Sequence, residues 1–149
     1  MEEKKFTVKI DAPREKVWDT LWDDSSYQQW TAVFAEGSRA ETDWKKGSKV
    51  LFLDTNNAGM VSVIEETRMP EYMSFKHLGI VKDGVEDTDS VESKKWSGGL
   101  ENYHLQEVNG QTELVVTMSS KTIPAEYLDY FEKTWPTALD KLKELAEKN

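Results

Sequence analysis

The chain contains no cysteine, which excludes disulfide staples, thiolate metal sites and thiol nucleophiles and fits a reducing compartment. Histidine is nearly as scarce, with only His77 and His104 present. No run approaches the roughly 18 apolar residues of a membrane span, and the opening residues 1–5 lack the apolar core of a secretion signal. The expectation is a soluble, cytoplasmic protein. Basic residues are outnumbered, 19 against 28 acidic ones, for a net charge of −9, and they gather into no basic face. Such a surface repels phosphate backbones, so nucleic acid is not an expected partner. Four prolines and eight glycines form no linker, and no internal repeat is evident. The 149 residues read as one domain, 1–149, long enough to bury roughly 70% of the surface of the unfolded chain.

Chemical motifs are equally sparse. There is no nucleophile elbow, no Ser-His-Asp order, no phosphate loop and no dinucleotide fingerprint, and Gly98-Gly99 lacks the strand–glycine–helix setting that phosphate binding needs. The carboxylates between Glu86 and Glu92 do not follow a calcium-loop pattern and read as a solvated loop. A metal site built from His77, His104 and Glu101 lacks ligand spacing, so neither a metal nor another cofactor is expected.

What the chain does have is aromatic side chains and one long amphipathic segment. Six tryptophans, five tyrosines and five phenylalanines are a heavy load for a chain with a mean hydropathy of −0.69. Such rings ordinarily fill a core, and some can also wall a ligand cavity. In residues 124–147, Tyr127, Leu128, Phe131, Trp135, Leu139, Leu142 and Leu145 recur mostly at steps of three and four. This spacing predicts a helix roughly 36 Å long. Pro124 suits its first turn, and Glu126 complements the positive end of its dipole. Pro136 lies inside it and predicts a kink, since the ring removes one hydrogen bond and crowds the carbonyl of Glu132 at a cost of about 3 kcal/mol.

Upstream the period is two. Residues 4–10 alternate as a half-buried strand. Pro13 then opens a short helix with Val17, Trp18, Leu21 and Trp22 as its apolar stripe, and residues 27–30 make one more helical turn. Residues 39–44, 49–54, 60–68, 72–81, 100–108 and 111–119 read as antiparallel strands, the last two joined at Asn109-Gly110. Residues 82–99 show little periodicity and read as a long exposed loop. Strands segregated from helices argue an α+β domain.

Several segments, in this order, carry a likeness to a known family. They are residues 8–18 (Val-Lys-Ile-Asp-Ala-Pro-Arg-Glu-Lys-Val-Trp), Trp30, Gly59-Met60-Val61, Tyr72-Met73-Ser74-Phe75, the Asn109-Gly110 hairpin and the run 135–145. Across nearly its whole length the chain resembles the START-like or Bet v 1-like (SRPBCC) helix-grip superfamily. More narrowly, it resembles the homologues of the activator of the heat-shock-protein-ninety ATPase. The resemblance implies a curved seven-strand antiparallel sheet wrapped around the long C-terminal helix, two short helices after the first strand, and a hydrophobic cavity between sheet and helix. It implies no single activity, since the superfamily holds lipid and hormone carriers, cyclase-like enzymes and chaperone-binding domains. The chain departs from the pattern at Pro136 and in the length of residues 82–99.

The expected ligand-binding residues are Trp30, Phe52, Phe75, His77, Tyr103, Tyr127, Phe131 and Trp135, with His77 and the Tyr103 hydroxyl able to orient a polar end. Alternation places His77 on the face of Met73 and Phe75 and turns His104 outward. A histidine in such a place is more often a satisfied polar group than a catalyst, and no catalytic residue is assigned. The leading expectation is a non-catalytic binder of a small hydrophobic molecule or lipid. The alternatives are a chaperone-associated interaction module, with the acidic loop and Trp96 as its surface, and a cyclase- or hydrolase-like enzyme using His77 beside Tyr103 or Glu101.

Overall fold

A computed structural model describes residues 3–119, 123 and 125–148. The elements run β1 (Glu3–Ile10), α1 (Arg14–Trp22), α2 (Asp24–Thr31), β2 (Arg39–Glu41), β3 (Lys49–Leu53), β4 (Gly59–Arg68), β5 (Tyr72–Lys82), β6 (Val85–Asp87), α3 (Val91–Lys94), β7 (Leu100–Val108), β8 (Gln111–Ser119) and α4 (Ala125–Glu147). The strands form one antiparallel sheet in the order β1-β8-β7-β5-β4-β3-β2, with β6 added beside β5. The expected α+β helix-grip architecture is the observed one. Its seven-strand path carries a short eighth strand that weak periodicity had hidden.

Local chemistry explains most boundaries. Pro13, extended at φ −70°, caps α1, whose Val17, Trp18, Leu21 and Trp22 are all buried. The break before α2 is one residue long, against the four read from the sequence. Asp23 is extended, yet its carbonyl already accepts the Tyr27 N–H at 2.7 Å, so the next helix starts at once. At the β7–β8 turn Asn109 and Gly110 have φ of 54° and 81°, the two positive values that a type I′ hairpin requires. Strand β4 slips register against β5 twice, between Val61 and Ser62 and between Ile64 and Glu66. Such irregularities increase local twist and curve a sheet.

Helix α4 buries Trp135, Ala138, Leu139, Leu142 and Ala146, against β1, α1 and α2. Each large side chain so buried contributes about 1.5–3 kcal/mol. The helix continues through Pro136 as one element of 23 residues, as its apolar stripe predicts. Apolar anchors on both sides of the proline outweigh the single backbone bond it removes. Pro124 lies outside the described residues.

Residues 82–99 are more ordered than a solvated loop. Ser90 caps α3 by accepting the Ser93 N–H at 3.1 Å, and Ser93 is fully buried. The Ser93 hydroxyl donates to the Asp87 carbonyl and accepts the Ile80 N–H at 3.3 Å, tying α3 to β5 and β6. A Cβ added at Gly79 would stand 2.3 Å from the Asp87 carbonyl oxygen and 2.5 Å from Ser93 Oγ, so only glycine admits this segment against β5. Gly79→Ala is expected to cost about 1–3 kcal/mol and to raise amide exchange across β6 and α3. Unchanged denaturant midpoint and exchange would show that the segment is not held there.

Candidate functional site

Between the sheet, α2 and α4 lies a cleft of about 260 Å³. Its walls come from distant parts of the chain: Trp30 on α2, Phe34 after it, Phe52 on β3, Trp96 before β7, and Phe131 and Trp135 on α4. Trp135 is the hub, with Phe34, Phe6, Trp30 and Tyr103 ring centroids at 5.0, 5.9, 6.1 and 6.2 Å. Its indole N–H is buried with no acceptor among the described residues.

One side of the cleft is polar. On β7, Glu101 and Tyr103 are two residues apart, which sends both side chains to the same face. Phe75 on β5 pairs directly with Glu101, and His77 lies two residues further along β5. His77 Nε2 is 3.3 Å from Glu101 Oε1, while the Tyr103 hydroxyl donates to Glu101 Oε2. The other ring nitrogen of His77 is 2.7 Å from Ser62 Oγ, and Ser62 is fully buried. Backbone bonds at 2.8 Å from His77 N–H to the Gly99 carbonyl, and from Gly98 N–H to the His77 carbonyl, hold the residue in place.

Burial raises the Tyr103 hydroxyl well above the usual phenol range, and the Glu101 charge and its hydrogen bond add to the effect. Burial also raises Tyr27, which lines the same cleft, again reinforced by Glu101. Both phenols therefore stay protonated, and Tyr103 donates to Glu101.

Six of the eight expected residues line the cleft together: Trp30, Phe52, His77, Tyr103, Phe131 and Trp135. Phe75 does not. It is fully buried behind the wall, with its ring 5.1 Å from Phe52 and 6.0 Å from Tyr103. Tyr127 does not either. It is 43% exposed and rests on Trp96 at 5.4 Å, outside the lining. A helical stripe fixes direction only to about a third of a turn, and Tyr127 sits in the first turn of α4. His104 is exposed beside Tyr72, as alternation indicates.

Sequence reasoning missed Tyr27, Phe34 and Trp96 as lining residues. Trp96 had been placed on a solvated loop, and no local signal shows that this loop folds back onto α4. Ser62 carried no such signal: alternation with Val61 and Val63 would turn it outward, and the register slip between Val61 and Ser62 lets both be buried.

The polar cluster can accept and donate hydrogen bonds to a molecule in the cleft. Ser62 is closed off from the cleft by the imidazole it touches. Among the described residues no group of three or more His, Asp or Glu is placed to hold a metal ion. No described helix is long and apolar enough to cross a membrane.

The family model described as "Activator of Hsp90 ATPase homolog 1-like protein" matches residues 11–147. The chain belongs to that family. The likeness read from the opening Ala-Pro-x-x-x-Val-Trp segment and the later strands is thereby shown. Among solved structures, the fold is similar to the Aha1 dimer from Colwellia psychrerythraea, at 18% identity and a TM-score of 0.75, over 99% of this chain and 97% of that one. It is similar also to an HSP90 activator from Plasmodium falciparum, at 18% identity and a TM-score of 0.66, over 97% and 96%. Protein CV1439 from Chromobacterium violaceum matches at 16% identity and a TM-score of 0.69, over the whole of both chains. At these identities the likeness carries the fold alone. No curated protein matches the chain significantly.

Proposed function

We propose that the protein binds a small apolar or amphipathic molecule in the cleft between sheet and α4, without transforming it. The observation that carries this reading is a ring-walled space of about 260 Å³ with one hydrogen-bonding side, the usual make-up of a ligand pocket. That volume lies between the roughly 150 Å³ that accepts a benzene ring and the roughly 300–1,000 Å³ of larger ligand sites. A compact one- or two-ring molecule suits it better than a long acyl chain. The absence of cysteine supports a reducing compartment such as the cytoplasm.

Thermal melts and intrinsic fluorescence with a panel of aromatic, terpenoid and fatty-acid compounds test the proposal. A compound present at a hundredfold over its Kd stabilises the native state by about 2.7 kcal/mol, which for a chain of this size raises Tm by roughly 5–10 °C. The emission should shift as well, because Trp30, Trp96 and Trp135 all face the cleft. If no class of compound moves either signal, the binder reading fails.

A second reading, a chaperone-associated module, draws support from the family itself, whose description names a chaperone ATPase activator. It expects co-purification with that chaperone, and stimulation of ATP hydrolysis that persists when the cleft is occupied.

A further inference from the structure

Two carboxylates line the cleft, and they are not alike. Asp54 sits in the β3–β4 turn, where its Oδ1 is tied to the Asn56 and Ala58 amides at 2.8 and 3.1 Å. Glu101 lies on the sheet with its side chain only 16% exposed. Among the described residues no lysine lines the cleft, and its one arginine, Arg39, is already engaged by Glu41 Oε2, the Asp54 carbonyl and Asn57 Oδ1 at 2.9, 2.9 and 2.6 Å. Among those residues His77 is the one other titratable base beside Glu101, its Nε2 3.3 Å from Oε1.

The hydrogen bond that holds the His77 ring lies at its other nitrogen, Nδ1, against Ser62 Oγ at 2.7 Å. Glu101 accepts the Tyr103 hydroxyl on Oε2, and its Oε1 has the His77 contact alone. A carboxylate offers about four lone-pair positions, so acceptor capacity remains on Glu101 in a ring-walled space. A donor carrying positive charge makes use of it, and the faces of the surrounding rings attract the same charge.

We propose that the ligand is a compact primary amine on a one- or two-ring apolar body, its ammonium seated on Glu101 and its body among Trp30, Phe52, Phe131 and Trp135. The assignment rests on the binder reading above and adds the chemistry of the ligand head. It makes the cleft discriminate against carboxylates, which Glu101 repels, and so against free fatty acids.

The test is calorimetric titration at neutral pH with three probes of one shape, naphthalene-methylamine, naphthalene-methanol and naphthoate, on the wild type and Glu101→Gln. In the wild type the amine should bind about tenfold tighter than the alcohol, and naphthoate most weakly. Glu101→Gln keeps the shape and removes the charge, so it should lower amine affinity about tenfold and leave the alcohol unchanged. A merely structural role for Glu101 would weaken all the probes together. If the alcohol binds as tightly as the amine or more so, the amine assignment is overturned and the binder reading stands. If none of the three binds, and the wider panel also fails, the binder reading falls with it. Should Glu101→Gln not fold, the wild-type ranking of the probes decides alone.

Discussion

Replacing Trp135 with alanine is expected to lower stability by about 3–5 kcal/mol and Tm by on the order of 10 °C. The side chain is 4% exposed, and its indole contacts rings from β1, α2, β7 and the segment after α2. Removing it takes away transfer energy and leaves a void that opens into the existing cleft, where no neighbour can collapse to fill it. Trp135→Phe should cost much less. It keeps one ring in place, and it deletes an indole N–H that is buried without an acceptor among the described residues, an arrangement that itself costs about 1–3 kcal/mol. Urea unfolding of the two variants measures both values. A loss under about 1 kcal/mol for the alanine variant would mean that α4 is not anchored at this point.

The second large effect is a loss of stability in alkali. The folded-state pKa values of Tyr27 and Tyr103 are both raised, by burial first and by Glu101 second. In the unfolded chain these phenols titrate near pH 10. Below that pH both states keep the protons, and the stability contribution is fully present. Above it the unfolded chain releases protons that the folded chain retains, so stability falls by about 1.4 kcal/mol per pH unit for each phenol until the folded values are reached. Two units above the unfolded pKa Tyr27 alone accounts for about 2.7 kcal/mol, and Tyr103 adds to the loss in the same direction. Lysines and the remaining tyrosines also titrate in this window, so the comparison must be made between variants. Denaturant midpoints from pH 9 to 12 should fall more gently for Tyr27→Phe and Tyr103→Phe than for the wild type. Equal alkaline slopes in all three would show that the two hydroxyls are solvated in the folded protein.

The polar side of the cleft links these expectations to function. Glu101 reinforces the burial that raises both phenols, stands 3.3 Å from His77 Nε2 and is the feature on which ligand discrimination is proposed to rest. A partly buried carboxylate with a single hydrogen-bond donor among the described residues does not favour stability by itself. Such groups are commonly retained where a bound partner completes their hydrogen bonding.

Much of this was legible in the residues alone. Alternation in residues 4–10 and 111–119 reflects β1 and β8 paired across Phe6 and Val116, and the 3.6-residue stripe gave α4 and its buried face. The order of those elements, with Ala12-Pro13 and Val17-Trp18 near the start, was enough to name the superfamily. Six of the expected residues line the cleft: His77, Tyr103, Phe131 and Trp135 lie on elements with a period, Phe52 in an apolar run and Trp30 in a short helical turn. Period says which face a side chain occupies, and nothing about what stands opposite. Phe75 and Tyr127 were therefore assigned to the cleft with the same warrant as Phe52 and Phe131.

The sequence by itself determined the element types, most of their bounds, the antiparallel α+β architecture and the greasy face of the last helix, because these depend on neighbours within a few positions along the chain. Only the tertiary structure decided that Trp96 folds back to the cleft, that Phe75 lies behind its wall, and that Ser62, His77, Glu101 and Tyr103 come together as one polar cluster. Those outcomes depend on contacts between residues far apart in the chain. Such contacts are set by strand register, bulges and packing, and no local pattern of residues encodes them.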